Sequence, residues 1–342
     1  MRKALITIVL LAVFCVLGVQ ESYAQKFVWG AEGGVFVDNA EGSGILVPNN
    51  TQSGAWVAPR IGIEFCDSTT MGRHRLMAGF DFTQQFGMPA FGEAPKAQIY
   101  YNYRGAKGAE HSFGLLPRSA LKNDYSCAFF SSSFKYFNHT IQGAVVSWTG
   151  KHVRGEAFFD WFSLNRNDDQ EAFMAGGNVE SHFAHIFTAE ASLYYAHNKL
   201  NLDDVFLRDV AGYNALVGVD LEHLTVLDEL EAKVGVLGSM NRNRLAVDNA
   251  GQWECGVGFN ARLGVGYKGF ALRDEIFLGS PLSVLWGSAY YTTELYNRVE
   301  ASWNYTLKLG DIGSINFRAA LVLHTTKFGS DFSQKANITL KF

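Results

Sequence analysis

A histidine beside a serine, a histidine pair, an acidic cluster and three isolated cysteines are the groups in this sequence whose types could do chemistry. His111 adjoins Ser112 in HSFG, His182 and His185 occur in ESHFAH, and Asp203, Asp204 and Asp209 surround Arg208 in NLDDVFLRD. A hydrolytic centre needs a hydroxyl and an imidazole within hydrogen-bond reach, with a third polar group orienting the ring. On a strand, adjacent side chains point to opposite faces, so His111 and Ser112 cannot form such a pair. The same geometry separates His182 from His185, whereas Glu180 and His182 share a face and read as a structural pair. Asp203 and Asp204 lack the interleaved ligands and turn glycine of a calcium loop. Asn138, His139 and Thr140 read as a tight turn. Cys66, Cys127 and Cys255 cannot all pair, and their spacing is no zinc signature. GAEGG and WTGKH lack the strand-loop-helix setting of a nucleotide-binding loop, so no cofactor or metal is implied. The net charge of −4 gives no reason to expect nucleic acid as a partner.

What must position these groups is a set of long, two-faced strands. In RVEASWNYTLKL, Val299, Ala301, Trp303, Tyr305, Leu307 and Leu309 fall on one face, and Arg298, Glu300, Ser302, Asn304, Thr306 and Lys308 on the other. SINFRAALVLH and WECGVGFNARLGVGYK repeat the pattern, and HRLMAGFDFT and VRGEAFFDWF show it with more interruptions. A helix is excluded, because apolar residues at i and i+2 do not share a helix face.

The N-terminus bears on where these strands reside. Arg2 and Lys3 precede an apolar run from Ala4 to Val19, followed by Ser22-Tyr23-Ala24, which reads as a secretory signal spanning 1–24. The remainder, 25–342, reads as one domain without internal repeats. A β-sandwich and a closed barrel both hold two-faced antiparallel strands. Apolar faces of about 9–13 residues match what a tilted strand needs to cross a bilayer and exceed the usual sandwich strand. Trp29, Trp56, Trp148, Trp161, Trp253, Tyr267 and Tyr305 fit two interfacial aromatic girdles. The expected fold is therefore all-β: a single transmembrane antiparallel β-barrel.

The chain closes on SQKANITLKF. In a barrel the last strand pairs with the first, so Ala336, Ile338, Leu340 and Phe342 face lipid while Asn337, Thr339 and Lys341 face the lumen. With this ending the chain resembles the porin-like outer-membrane β-barrel proteins of Gram-negative bacteria. The resemblance covers 25–342 as a pattern, and the final strand is its most specific motif. It implies an outer-membrane location, contact with outer-membrane lipid, and recognition of Phe342 by the barrel assembly machinery.

Connections alternate between long and short along the chain, as outer loops and periplasmic turns should. Long connections include DNAEGSGILVPNNTQSGA, the stretch between Gly279 and Tyr296, and TTKFGSDFS. The count is about 16 strands, with 14 as the next choice, and it reaches 16 with residues 178–196 taken as one long strand.

The inward faces carry the remaining chemistry. The candidate lumen-lining residues are Arg60, Glu64, Arg75, Asp81, Arg154, Glu156, Asp160, Asp220, Glu231, Lys233, Arg262, Arg298, Glu300 and Arg318. Glu32, Lys135, Glu180, Glu190, Glu222, Lys268 and Lys308 complete the register. Interleaved signs suit a wetted wall of cross-strand ion pairs, or a constriction whose transverse field filters solutes. The expected function is a porin-like channel for passive or weakly selective diffusion of small hydrophilic solutes, not an enzyme. Phe158, Phe162, Tyr194 and Leu216 are too bulky for an open pore and keep a filled barrel, acting as a scaffold or export component, as the alternative. An outer-membrane lipid hydrolase is third. Transported solute and oligomeric state are left open by the sequence.

Overall fold

A computed structural model of the protein describes residues 25–67, 71–163, 171–199, 205–245 and 251–342. The expected signal segment, Asp203 and Asp204 lie outside the described residues. Sixteen antiparallel strands form a closed barrel in sequence order. They are β1 (Lys26–Glu41), β2 (Asn50–Cys66), β3 (Arg73–Gln85), β4 (Lys96–Arg104), β5 (Ala109–Pro117), β6 (Thr140–Thr149), β7 (Val153–Ser163) and β8 (Ala172–Phe183). The second half comprises β9 (Phe187–Lys199), β10 (Val205–Asp220), β11 (Glu229–Leu245), β12 (Glu254–Tyr267), β13 (Phe270–Gly279), β14 (Leu295–Lys308), β15 (Ser314–Thr326) and β16 (Gly329–Lys341).

Closure occurs where the last strand meets the first, with Val37 opposite Ala336 and Gly33 opposite Leu340. Phe342 completes the seam: its N–H donates to the Ala31 carbonyl at 2.8 Å, and the Ala31 N–H donates back at 3.1 Å. Alternation sets the two faces. Along β14, Trp303, Tyr305 and Leu307 are exposed on the outside while Glu300 and Ser302 are buried inside. This outer apolar face is the surface that lipid covers, which makes the chain an outer-membrane barrel.

Two departures from the sequence count offset one another. Residues 178–196 are not one strand; they belong to β8 and β9, which turn at 184–186. The turn contains Ala184 and His185, both with positive φ, a conformation that the alternating pattern does not reveal. Conversely, residues 118–139 contribute no strand. TTKFGSDFS is not a long loop either, since β15 and β16 pair up to Thr326 and Gly329.

The stretch 118–139, which joins the extracellular ends of β5 and β6, turns into the barrel and carries helix α1 (Ser132–Phe137). Ser131 caps this helix, its Oγ accepting from the Phe134 N–H at 3.2 Å. The loop between β13 and β14, residues 280–294, folds in beside it. Backbone bonds join the two loops: Ser131 N–H to Trp286 O at 2.9 Å and Ser288 N–H to Cys127 O at 2.8 Å. Their close approach requires Gly287, where a Cβ would lie 1.8 Å from the Ala128 carbonyl oxygen.

Phe129, Phe130, Phe134, Tyr290 and Tyr291 make an aromatic plug that buries itself against Phe158 and Tyr194 of the wall. Phe129 and Tyr194 have ring centroids 4.9 Å apart, and Phe162 meets Trp286 at 4.7 Å. Of the bulky lumen residues of the sequence reading, Phe158, Phe162 and Tyr194 are thus the seat of the plug. Burial of so many aromatic rings supplies the apolar core that an empty barrel of this width lacks.

Candidate active site

The plug hangs from a narrow neck, Arg118 and Asn138–Thr140, and the neck is clamped by one guanidinium. The Arg118 N–H donates to His139 O at 2.6 Å, its Nε to Asn138 O at 2.5 Å and its Nη2 to Thr140 O at 3.2 Å. Nη2 also pairs with the buried Asp160 carboxylate, whose other oxygen accepts from the Gln142 N–H at 2.9 Å. Burial pushes the Arg118 pKa down, and Asp160 opposes that shift. Its remaining terminal nitrogen, Nη1, is buried without a hydrogen-bond partner.

Beside the neck is a cavity of about 420 Å³ whose lining includes Arg118, Ser119, His139, Glu32, Trp56, Leu121, Phe130 and Phe134. His139 stacks on Trp56 with ring centroids 4.3 Å apart. Its Nδ1 faces Asp81 Oδ1 at 3.6 Å and Thr83 Oγ1 at 3.2 Å. Asp81, on β3, is buried. Ser119 donates its hydroxyl to Glu32 Oε2 at 2.8 Å, and Glu32 also pairs with Arg60 at 3.1 Å. An imidazole bonded to Thr83 near a buried carboxylate, a guanidinium with a spare N–H, a hydroxyl and an apolar wall thus meet around one pocket. This is the donor set for proton transfer and oxyanion stabilisation at an acyl group.

The cavity lies at the extracellular ends of β4–β6, which have only 9 or 10 residues, against 16 or 17 in β1, β2, β10 and β11. Its lining also takes in Thr339, Leu340 and Lys341 at the opposite, periplasmic end of β16, so the cavity reaches well down the wall.

A second histidine line lies across the lumen. His324 Nδ1 is 2.7 Å from the Tyr296 hydroxyl, its Nε2 is 3.3 Å from Ser333 Oγ, and Tyr290 stacks on the ring at 4.3 Å. It borders a smaller cavity of about 270 Å³, packed by Leu46, Val47 and Tyr290.

All fourteen sequence-predicted lumen residues turn inward, but they divide among three places. Arg154, Asp220, Glu231, Lys233, Arg262, Arg298, Glu300 and Arg318 line a vestibule of about 820 Å³ on the other side of the plug, open toward the periplasm. There Lys233 bridges Glu231 at 2.9 Å and Glu190 at 3.9 Å, while Glu300 pairs with Arg298 and Arg318. Arg60, Asp81, Glu156 and Asp160 instead hold the plug or its cavity; Glu156 accepts from the Lys122 N–H at 2.8 Å. Glu64 and Arg75 pair at 2.5 Å near the periplasmic turn. Lys135 belongs to α1 rather than the wall, and Glu222 and Lys268 sit in periplasmic turns. Trp56 is no girdle residue: it faces inward onto His139.

Residues 19–342 match the model of a protein family described as Lipid A 3'-O-deacylase-type. The chain belongs to that family. As a member of the Lipid A 3'-O-deacylase-type family it falls among enzymes, which overturns the non-enzymatic expectation. Among solved structures, this deacylase-type barrel is similar to OccK3 (OpdO) of Pseudomonas aeruginosa, with 10% identity and a TM-score of 0.52 over 93% of this chain and 96% of that one. OmpF of Salmonella typhi, in complex with daunomycin, matches at 9% identity and 0.51, covering 93% and 98%. Pseudomonas aeruginosa OpdL matches at 11% and 0.50, also covering 93% and 98%. At these identities the likeness shows the barrel fold alone. No curated protein matches the chain.

The sequence reading of this deacylase-type chain missed the site because its members come from distant strands. His139 reads as a turn residue, and Asp81 and Trp56 belong to other hairpins. One signal was present: SCAFFSSSFKYF breaks the two-residue alternation that runs elsewhere.

Proposed function

We propose that the protein is an outer-membrane hydrolase that removes an ester-linked acyl chain from a lipid A-type glycolipid of the outer leaflet. The observation that carries this reading is the neck cavity, which His139, close to Asp81, shares with Arg118 and its unpartnered Nη1. In this reading His139 takes a proton from the attacking water, and the new C–O bond forms as the carbonyl becomes an oxyanion. Arg118 Nη1 donates to that oxyanion. Collapse breaks the ester bond, and His139 returns the proton to the departing sugar alkoxide, leaving a free fatty acid and a free hydroxyl. The apolar lining of Leu121, Phe130 and Phe134 suits the acyl chain, and the Ser119–Glu32 pair suits the polar head.

The test is mass spectrometry of lipid A incubated with the purified, folded barrel. The expected result is loss of one acyl chain by the wild type and a fall of roughly 10²–10⁴-fold in rate for His139→Asn. Undiminished activity in His139→Asn would move the chemistry elsewhere, with His324→Asn as the next variant. No acyl loss in the wild type would sink the hydrolase reading.

A further inference from the structure

The outer face carries a charged row that the neck cavity does not use. Across β8–β11, Phe173, His197, Asp209 and Arg242 stand opposite one another in consecutive registers, and Trp161 of β7 faces Phe173. They share the outward parity of Leu193, Tyr213 and Val236, which are exposed on the lipid side. Asp209 is buried at the centre. It accepts from Tyr195 Oη at 2.7 Å and faces His197 Nδ1 at 2.8 Å. Arg242 donates to it at 2.7 Å, and Arg244 Nη2 lies at 3.0 Å. Arg242 also stacks over Trp253, 4.6 Å from the ring centroid.

Among the described residues, two guanidiniums share one carboxylate and leave a surplus positive charge, and both arginine side chains remain partly exposed, at 21% and 26%. Surplus charge facing lipid is costly unless it meets an opposite charge. The row lies at the extracellular ends of its strands, flanked by Trp161, Phe173 and Tyr195, the aromatic belt that marks the interface. Guanidinium forks match phosphate oxygens.

We infer that Arg242 and Arg244 form a docking site for a headgroup phosphate of an anionic glycolipid in the outer leaflet. The site is on the β7–β12 side of the barrel, away from the neck cavity, and does not depend on the hydrolase reading.

The experiment is a native mass spectrometry titration of the detergent-folded full chain with diphosphorylated lipid A, in a His139→Asn background to prevent turnover. The double variant Arg242→Gln/Arg244→Gln is expected to bind about tenfold more weakly, because neither glutamine can present a charged fork to the phosphate. Asp209→Asn removes the competing carboxylate and is expected to bind more tightly. Dephosphorylated lipid A is expected to bind the parent no better than the double variant. Equal binding by the parent and the double variant, no gain in Asp209→Asn, or indifference to phosphate would each overturn the site. Occupancy by inorganic phosphate alone, undiminished by lipid, would overturn the lipid as its source.

Discussion

The two halves of the lumen, built by the same strands, are opposites. Below the plug, the vestibule is wide, wet and lined by charges of both signs, as in a diffusion channel. Beside it, two inturned loops fill the space with aromatic rings and leave smaller cavities, one holding His139, Glu32 and Arg118 and the other bordered by His324. The difference teaches that a wall of alternating charge identifies a barrel with a polar interior but not an open one. What the barrel does is decided by the loops that enter it.

The sharpest way to break that contrast is to remove the plug. Replacing 121–136 with a short glycine linker is expected to turn a barrel silent in planar bilayers into one with discrete conductance steps, and to abolish acyl hydrolysis. Persistent silence would mean that residues outside 121–136 close the lumen, the 280–294 loop first among them. Next in size, Arg118→Ala strands the buried Asp160 carboxylate and the neck carbonyls, for an expected loss of roughly 3–5 kcal/mol in urea unfolding followed by tryptophan fluorescence. A loss below about 1 kcal/mol would show that the neck is wetter than its burial indicates.

Gly287→Ala drives a methyl into the Ala128 carbonyl, and the same unfolding assay should register about 1–3 kcal/mol as the two loops part. The smallest effect belongs to the vestibule. Glu231→Gln removes a partly exposed pair with Lys233, worth less than about 1 kcal/mol, and should leave hydrolysis unchanged. A large loss there would erase the distinction between the two halves.

The same contrast governs what could be read from the sequence. The wall was legible because each strand has one face toward lipid, so the periodicity around Trp303 and Leu321 survives in every register. Phe342 was legible because a terminal aromatic has a place at the end of a closing strand. The plug was not, because its residues are buried by other loops rather than by a repeating neighbour; Phe129 and Phe130 are adjacent, yet both are buried. His139 owes its role to Asp81 and Trp56, which only barrel curvature brings to it. Nor did alternation distinguish Arg60, which serves the cavity, from Arg262, which serves the vestibule.

Helix α1 lies against the seam. Tyr136 stacks on Phe36 of β1 at 4.4 Å, Ser133 donates to Gln52 of β2 at 2.8 Å, and Lys335 of β16 donates to Ser132 at 2.8 Å, 203 positions away. Lys335 also holds Asp38 of β1 at 2.8 Å. Consequently, the middle of the chain and its two ends complete one another's surroundings, through pairings whose sequence separation makes them slow to form. The helix has its full surroundings only with the final strand in place, so closing the barrel also completes the packing of the inturned loop.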